Sequence, residues 1–458
     1  MCAGTARHDA YTPPSMQHCD ILIAPRWCVP IQPAGAVLED HAVIVRDGRI
    51  TDLLPLAEAE ARYQPSSTIR RPDHALIPGF VNAHGHSAMT LLRGLADDLP
   101  LESWLRDAIW PAEQRWVSAE MVRDGTELAI AEMIAGGTTC FSDQYFFPEM
   151  VAEAAQELHM RAVIGTPNMD FATDWAKDVD EYINKANDLV HDPYADHPLI
   201  SSCYAPHSSA ALNDESFGEL RVMADQLDLP VQIHLHETLG EIKAAVDATG
   251  KRPVERLHEL GFINASLLGV HCVHLNDDEI HLLAESGVNV VHCPRSNLKL
   301  GSGIAPVSKY RDAGINVAVG TDGAASNNVL DMLSELRYAA MLAKGSQQDA
   351  AALPAETVLK MATLDGANAL GLGAEIGSIE VGKWADLTCI DLNRLHSQPM
   401  YDPVSQLVYT ARADQVSDVW IAGRQQLEEG HLTQIDPDNL MTKAAEWSAR
   451  IAAADGDN

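Results

Sequence analysis

Residues 75–86 read ALIPGFVNAHGH. An apolar run, interrupted at Pro78-Gly79, resumes as FVNA and ends in two histidines one residue apart. Side chains alternate along a strand, so if this stretch is one, His84 and His86 point to the same side. Two imidazoles then face one point and can share one ion. Alone, such a pair is a weak signal, because polar residues also cap strands. Its weight comes from the rest of the chain.

Seven further apolar runs follow: GTTCFSDQYF (137–146), MRAVIGTPNM (160–169), LISSCYAPHS (199–208), VQIHLHE (231–237), LLGVHCVH (267–274), VNVVHCP (288–294) and INVAVGTDG (315–323). Amphipathic stretches lie between them. AEMVRDGTELAIAEMIAGG (119–137) reads as a helix closed by Gly136-Gly137, and ESFGELRVMADQLDLP (215–230) as another. Buried strands alternating with helical crossovers predict a parallel (β/α)₈ barrel of the α/β class. No glycine-rich dinucleotide fingerprint follows the first run, which argues against a doubly wound sheet. PAETVLKMATLDGANALGL (354–372) reads as one or two more helices.

The chain ends have a different character. CDILIAPRWCVPI (19–31) is apolar and punctuated by proline, and HAVIVRDGRITDLLP (41–55) is a hairpin turning at Asp47-Gly48. IGSIEVGKWADLTCIDL (376–392) and VSDVWIAGRQQLEEGHL (416–432) have the same β-rich character, with a second turn at AGR. The expected organisation is a small β-sandwich domain built from 1–78 and 376–458, around a barrel hydrolase domain at 79–375. DPDNLMTKAAEWSARIAAA (436–454) reads as a terminal helix, available for a subunit contact.

Composition narrows the partners. Lys+Arg number 32 and Asp+Glu 65, a net charge of −33. Such a field repels phosphate backbones and anionic membranes, so the reading is no nucleic acid, no membrane, and a small neutral substrate. The eight cysteines form no CxxC pair and several lie in apolar runs, as expected of buried free thiols. With no apolar leader and no run of membrane-spanning length, a cytoplasmic location is expected.

Most runs end in residues able to bind metal. These are His84 and His86, Asp143, His207, His234 with Glu237, His271, and Asp322. Active sites of barrel enzymes lie at the C-terminal ends of the strands. His84, His86, His234 and Asp322 offer three imidazoles and one carboxylate, a set suited to one zinc ion, with iron(II) also accepted. Glu237, three residues after His234, can move a proton beside such an ion, although it also stands where a helix N-terminal acid would. Alternation turns His236 to the side of His234, where it is read as supporting a ligand or as packing, because the ion already has its ligands. His271 is placed beside the attacking water, while His274 and His292 are read as structural. No lysine ends the third or fourth run to bridge two ions, which favours a single one.

On these residues the chain resembles the amidohydrolase superfamily over most of 18–440. It is most similar to 5′-methylthioadenosine/S-adenosylhomocysteine deaminases and their nucleobase-deaminase and triazine-chlorohydrolase relatives. The resemblance is carried by PGFVNAHGHSAMTLLRGLADDLPLESWL (78–105), YAPHS (204–208), IHLHET (233–238), HCVHL (271–275), NLKLGSGIAPV (297–307) and GTDGAASNN (320–328). It implies the same four metal ligands, with Glu237, His271 and Asp322 catalytic. It also implies that Trp104 packs near base and sugar, Glu113 binds ribose hydroxyls, His207 and Glu237 contact substrate, and Ser326 touches the purine. Relatives acting on S-adenosylhomocysteine carry arginines after the third strand. Here that segment is RAVIGTPNMDFATDWAKD (161–178), with Thr166 at the first such position, no second arginine, and Arg161 at the strand start, away from the mouth. The expectation is a homo-oligomeric hydrolytic deaminase of adenine nucleosides, with methylthioadenosine first and adenosine next. A guanine or other heterocycle deaminase, a chlorohydrolase, and a non-catalytic scaffold are the alternatives.

Overall fold

A computed structural model describes residues 16–455. Cys2 and most of the N-terminal stretch on which the expectation of no leader rests lie outside them. Eight parallel strands form the barrel: β1 Phe80–Gly85, β2 Thr138–Gln144, β3 Arg161–Asn168, β4 Ile200–Pro206, β5 Val231–Leu235, β6 Leu267–His271, β7 Asn289–His292 and β8 Asn316–Val319. All eight runs read from the sequence fall on them. Alternation sorts their side chains. Cys140, Val163, Val291 and Ala318 fill the barrel interior, while their neighbours Phe141, Ile164, Val290 and Val317 pack outward among the helices.

The seam between β8 and β1 is closed largely by one side chain. Asn82 accepts from the Thr321 backbone N–H (2.9 Å) and donates to the Thr321 hydroxyl (2.8 Å). One residue on, the Asp322 N–H donates to the His84 carbonyl (3.1 Å). Closing the barrel therefore sets Asp322 beside the first histidine pair.

The helices begin and end as their sequences require. Ser118 caps Ala119–Ala135 by accepting from Met121 N–H, and Gly136 and Gly137 (φ +88°) end it. Asn213 caps Asp214–Leu227, and the 354–372 stretch yields two helices, Ala355–Met361 and Leu364–Ala369.

Both chain ends join one nine-stranded mixed sheet. Its central strand, Tyr63–Pro78, pairs parallel with Gln17–Cys28 and antiparallel with Leu387–Asp391. The two wings share a core of Ile23, Val43, Val45, Leu387 and Trp420. Both expected hairpins form, turning at Asp47-Gly48 (φ 51° and 76°) and Ala422-Gly423 (φ 48° and 76°), two positive values in a row as a tight hairpin needs. Of residues 376–392, only Leu387–Asp391 is strand. Gly377 (φ +87°) and Gly382 (φ +98°) break the earlier part into turns.

Sheet and barrel meet at Gly79, the single residue between Tyr63–Pro78 and β1. A Cβ there would lie 2.1 Å from Thr139. Gly79→Ala should therefore destabilise the fold by about 1–3 kcal/mol, the usual cost of overpacking. Urea denaturation checks this, and an unchanged midpoint would show that the strands separate freely. Arg161 lies at the base of β3, paired with the buried Asp386 (2.7 Å) and far from the mouth, as expected. The terminal helix Pro437–Asp455 spends its apolar side within the chain. Leu440, Trp447 and Ile451 are buried, and Lys443 reaches Asp124 (2.7 Å) and Glu127 (2.9 Å). The seven described cysteines are unpaired and buried. Among the described residues, no helix is long and apolar enough to cross a membrane.

Candidate metal centre and substrate cavity

His84, His86, His234 and Asp322 converge at the C-terminal mouth of the barrel, with one donor atom of each within 4.8 Å of the others. All four are buried. His84 Nε2 stands 3.1 Å from His234 Nε2 and 3.4 Å from Asp322 Oδ1, and His86 Nε2 lies 3.1 Å from the same oxygen. The outer ring nitrogens fix two of the rings. His86 Nδ1 donates to the Gln144 carbonyl (2.6 Å) and His234 Nδ1 to the His207 carbonyl (2.7 Å), which turns their Nε2 atoms inward.

Electrostatics agree with a cation at this point. Burial pulls His84 down to about 4 and His234 well below its usual value, so both are neutral donors. Burial alone would lower His86 too, but Asp322 and the Gln144 carbonyl hold it up at about 9. Burial alone would raise Asp322, yet the bonds from His84 and His86 keep it well below the carboxylate range. Facing lone pairs 3.1 Å apart beside an ionised carboxylate suit a divalent ion. Asp322 adopts φ +61°, a left-handed turn that carries the chain out of β8. Its second oxygen accepts from Ser296 Oγ (2.6 Å) and Ser326 Oγ (2.7 Å).

Glu237 and His271 stand beside this cluster. Glu237 Oε1 accepts from Ser302 Oγ (2.9 Å), and its other oxygen lies 3.8 Å from His271 Nε2. Burial pushes the Glu237 carboxyl up. His271 Nδ1 donates to Asn297 Oδ1 (2.8 Å), which leaves Nε2 able to accept a proton near the cluster.

A cavity of about 960 Å³ opens above these groups and is lined by Trp104, Glu113, His207, Glu237, His271 and Ser326, among others. Every residue read as a site residue is therefore brought together. Trp104 is buried with an unpartnered indole N–H. Glu113 accepts from Tyr145 Oη (2.7 Å), and burial pushes its carboxyl up to about 7. Burial lowers His207 to about 4. Among the described residues that line it there is no lysine or arginine, and its outer wall includes Phe147, Met169, Phe171 and Trp175.

Some residues lie elsewhere than the sequence led one to expect. His236 does not share the side of His234. Its φ of +52° ends the alternation, and the ring turns to Arg252 and the Val254 N–H. Asp143 caps the chain after β1, accepting from Ser87 N–H (2.6 Å) instead of joining the cluster. The Thr166 hydroxyl faces His191 and the Cys203 carbonyl, not the cavity. His274 and His292, read as structural, are half-buried and buried respectively and stand outside the cavity lining. Tyr145, Ser296, Asn297 and Ser302, each bonded to a site residue, were missed. Only Tyr145 left a trace, two residues after Asp143 at the end of its run.

An eight-stranded barrel with three imidazoles and a carboxylate at its mouth defines a metal-dependent barrel hydrolase. The chain belongs to the amidohydrolase family, whose sequence pattern matches residues 75–425. It is 46% identical to a 5-methylthioadenosine/S-adenosylhomocysteine deaminase of Teredinibacter turnerae over 430 residues, covering 93% of this chain and 96% of the relative. It is also similar to the crystal structure of an adenosine deaminase from Xanthomonas campestris with bound zinc. The TM-score is 0.95 at 51% identity, covering 96% of this chain and 100% of that one. An atrazine chlorohydrolase from Arthrobacter aurescens, complexed with zinc, shares the fold at TM-score 0.87 and 24% identity, over 93% of this chain and 100% of that one.

Proposed function

We propose that this chain is a zinc-dependent hydrolytic deaminase of adenine nucleosides, with 5′-methylthioadenosine the preferred substrate and adenosine the next. The observation that carries this reading is the buried Glu237 carboxyl beside His271, on the floor of a largely apolar cavity and adjoining a four-donor metal cluster. The deaminase names of the relatives support it.

His84, His86, His234 and Asp322 would hold the zinc ion, which would supply a water acidified toward a pKa of about 7. The residues do the rest. Glu237, kept protonatable by burial, gives its proton to purine N1, which makes C6 electrophilic. Water adds at C6 and gives one proton to His271, with Asp322 beside it. That proton passes on to the amino group and lets ammonia leave, and the proton left on the C6 oxygen returns to Glu237, giving the inosine analogue. Glu113 accepts from the ribose hydroxyls, Trp104 packs against base and sugar, and His207 and Ser326 contact the nucleoside. The amino-acid tail of S-adenosylhomocysteine would find no cation for its carboxylate among the described wall residues, so that substrate is disfavoured. The reading includes a cytoplasmic homo-oligomer. Buried free thiols support the location, and the exposed Leu395 and Tyr401 support a subunit contact.

Ammonia release from methylthioadenosine, adenosine, S-adenosylhomocysteine, guanine and cytosine tests the proposal. The highest kcat/KM should fall on methylthioadenosine. Turnover of guanine alone would overturn it. The Glu113 carboxyl predicts a pH effect. Only its ionised form accepts from two hydroxyls, and it ionises as pH rises through about 7, so 1/KM should rise over that interval. Glu113→Gln should flatten the limb, and a limb that persists unchanged would remove Glu113 from that role.

A further inference from the structure

Loops following β1, β7 and β8 meet at one ammonium group. Lys299 ends the helix Pro294–Lys299 that follows β7. Its Nζ donates to Asp97 Oδ1 (2.6 Å), to the Ala325 carbonyl (2.9 Å) and to the Asn328 side-chain oxygen. An ammonium has three donors, and all are used. Asn328 completes the knot. Its Nδ2 donates to Asp97 Oδ2 (3.2 Å) and its carbonyl accepts from Arg93. Asn328 ends the helix Ala324–Asn327, which carries Ser326, in a left-handed turn at φ +76°.

Asp97 lies just before the segment that covers the cavity. That segment supplies Leu101, Trp104, Trp110 and Glu113 to the lining. It also crosses to the far side of the mouth, where Glu102 lies so close to the start of the helix Leu239–Thr249 that a Cβ on Gly240 would be 2.2 Å from its carboxylate. The bond from Lys299 holds the Asp97 carboxyl below its usual range, although Asp97 is 42% exposed. One charge-assisted knot thus ties the cover to the loop that holds Asp322 and Ser326.

We infer that Lys299 is a positioning residue that fastens the cavity's cover to the β8 loop, and that this fastening sets substrate affinity rather than the speed of the chemistry. The inference rests on the deaminase reading for its kinetic part. Lys299 touches neither the ion cluster nor the cavity, so its removal leaves the reacting groups in place.

The test compares the full-length parent with Lys299→Met, Asp97→Asn and the double variant, each loaded with zinc. For methylthioadenosine, Lys299→Met should raise KM about tenfold, the scale of a lost charge-assisted hydrogen bond, and leave kcat within about threefold. Asp97→Asn, at an exposed site that spares the fold, should give a KM shift of the same kind, and the double variant should add little to either. Added salt should raise KM in the parent more than in Lys299→Met, because the knot is partly exposed and screened. Amide hydrogen exchange without substrate should quicken in 98–116 of both single variants and nowhere else. Unchanged KM, a fall in kcat at constant KM, or additive single effects would overturn the inference. If the parent deaminates nothing on the panel, the deaminase reading fails. The fastening is then judged by exchange alone, and no acceleration in 98–116 overturns it.

Discussion

Glu237→Gln should keep its ion and lose activity, with kcat falling about 10²–10⁴-fold, the range for losing a general acid-base group. The geometry separates the two properties. Glu237 is not one of the four clustered donors, so the ion's ligands are untouched. Gln is nearly the same shape, and its side-chain oxygen can still accept from Ser302 as Glu237 Oε1 does. What disappears is the proton. Burial favours the protonated carboxyl of Glu237 and so supplies the acid that purine N1 needs, whereas an amide has no proton to give at neutral pH. Because the loss falls on the transition state, kcat and kcat/KM should drop together. The measurement pairs steady-state kinetics with metal content on one preparation. Near-normal turnover in a zinc-loaded variant would remove Glu237 from the role.

Asp322→Ala should strike the ion itself. Asp322 is the only anionic donor of the cluster, and its removal leaves three neutral imidazoles to hold a divalent charge in a buried site. It also strips Ser296 and Ser326 of their shared acceptor. Metal content should fall below about a tenth of the parent's, and kcat/KM by at least about 10³-fold, since ion-based activation of water is lost with it. Excess zinc should restore little, because one ligand of four is missing. A variant that retains full metal would show that the imidazoles suffice and that Asp322 acts otherwise.

Much of this was legible beforehand, for a physical reason. Strands of a parallel barrel are buried on both faces, so they read as apolar runs, and their C-terminal ends face one cavity. His84, His86, His234, His271 and Asp322 could thus be gathered from runs far apart in the chain. The supports of those residues left no such mark. Ser296 and Asn297 come from the short helix after β7 and Ser302 from the turn beyond it, where no periodicity links them to β5, β6 or β8. Asn82 sits one strand position from being an ordinary core residue, and only the closed seam shows that it bonds Thr321. His236 was misplaced because alternation holds only while φ stays extended, and here it does not. The same applies to residues 376–386, whose composition resembles a strand while two left-handed glycines turn the chain instead.

The account centres on one ion driving loss of ammonia from an adenine nucleoside. The most direct measurement strips the metal with a chelator and follows ammonia release from methylthioadenosine as zinc is returned stepwise. The expected result is no activity without metal, then a linear rise that breaks at about one equivalent per chain, as four converging donors imply. Ammonia release that survives stripping, or a break at about two equivalents, would contradict it.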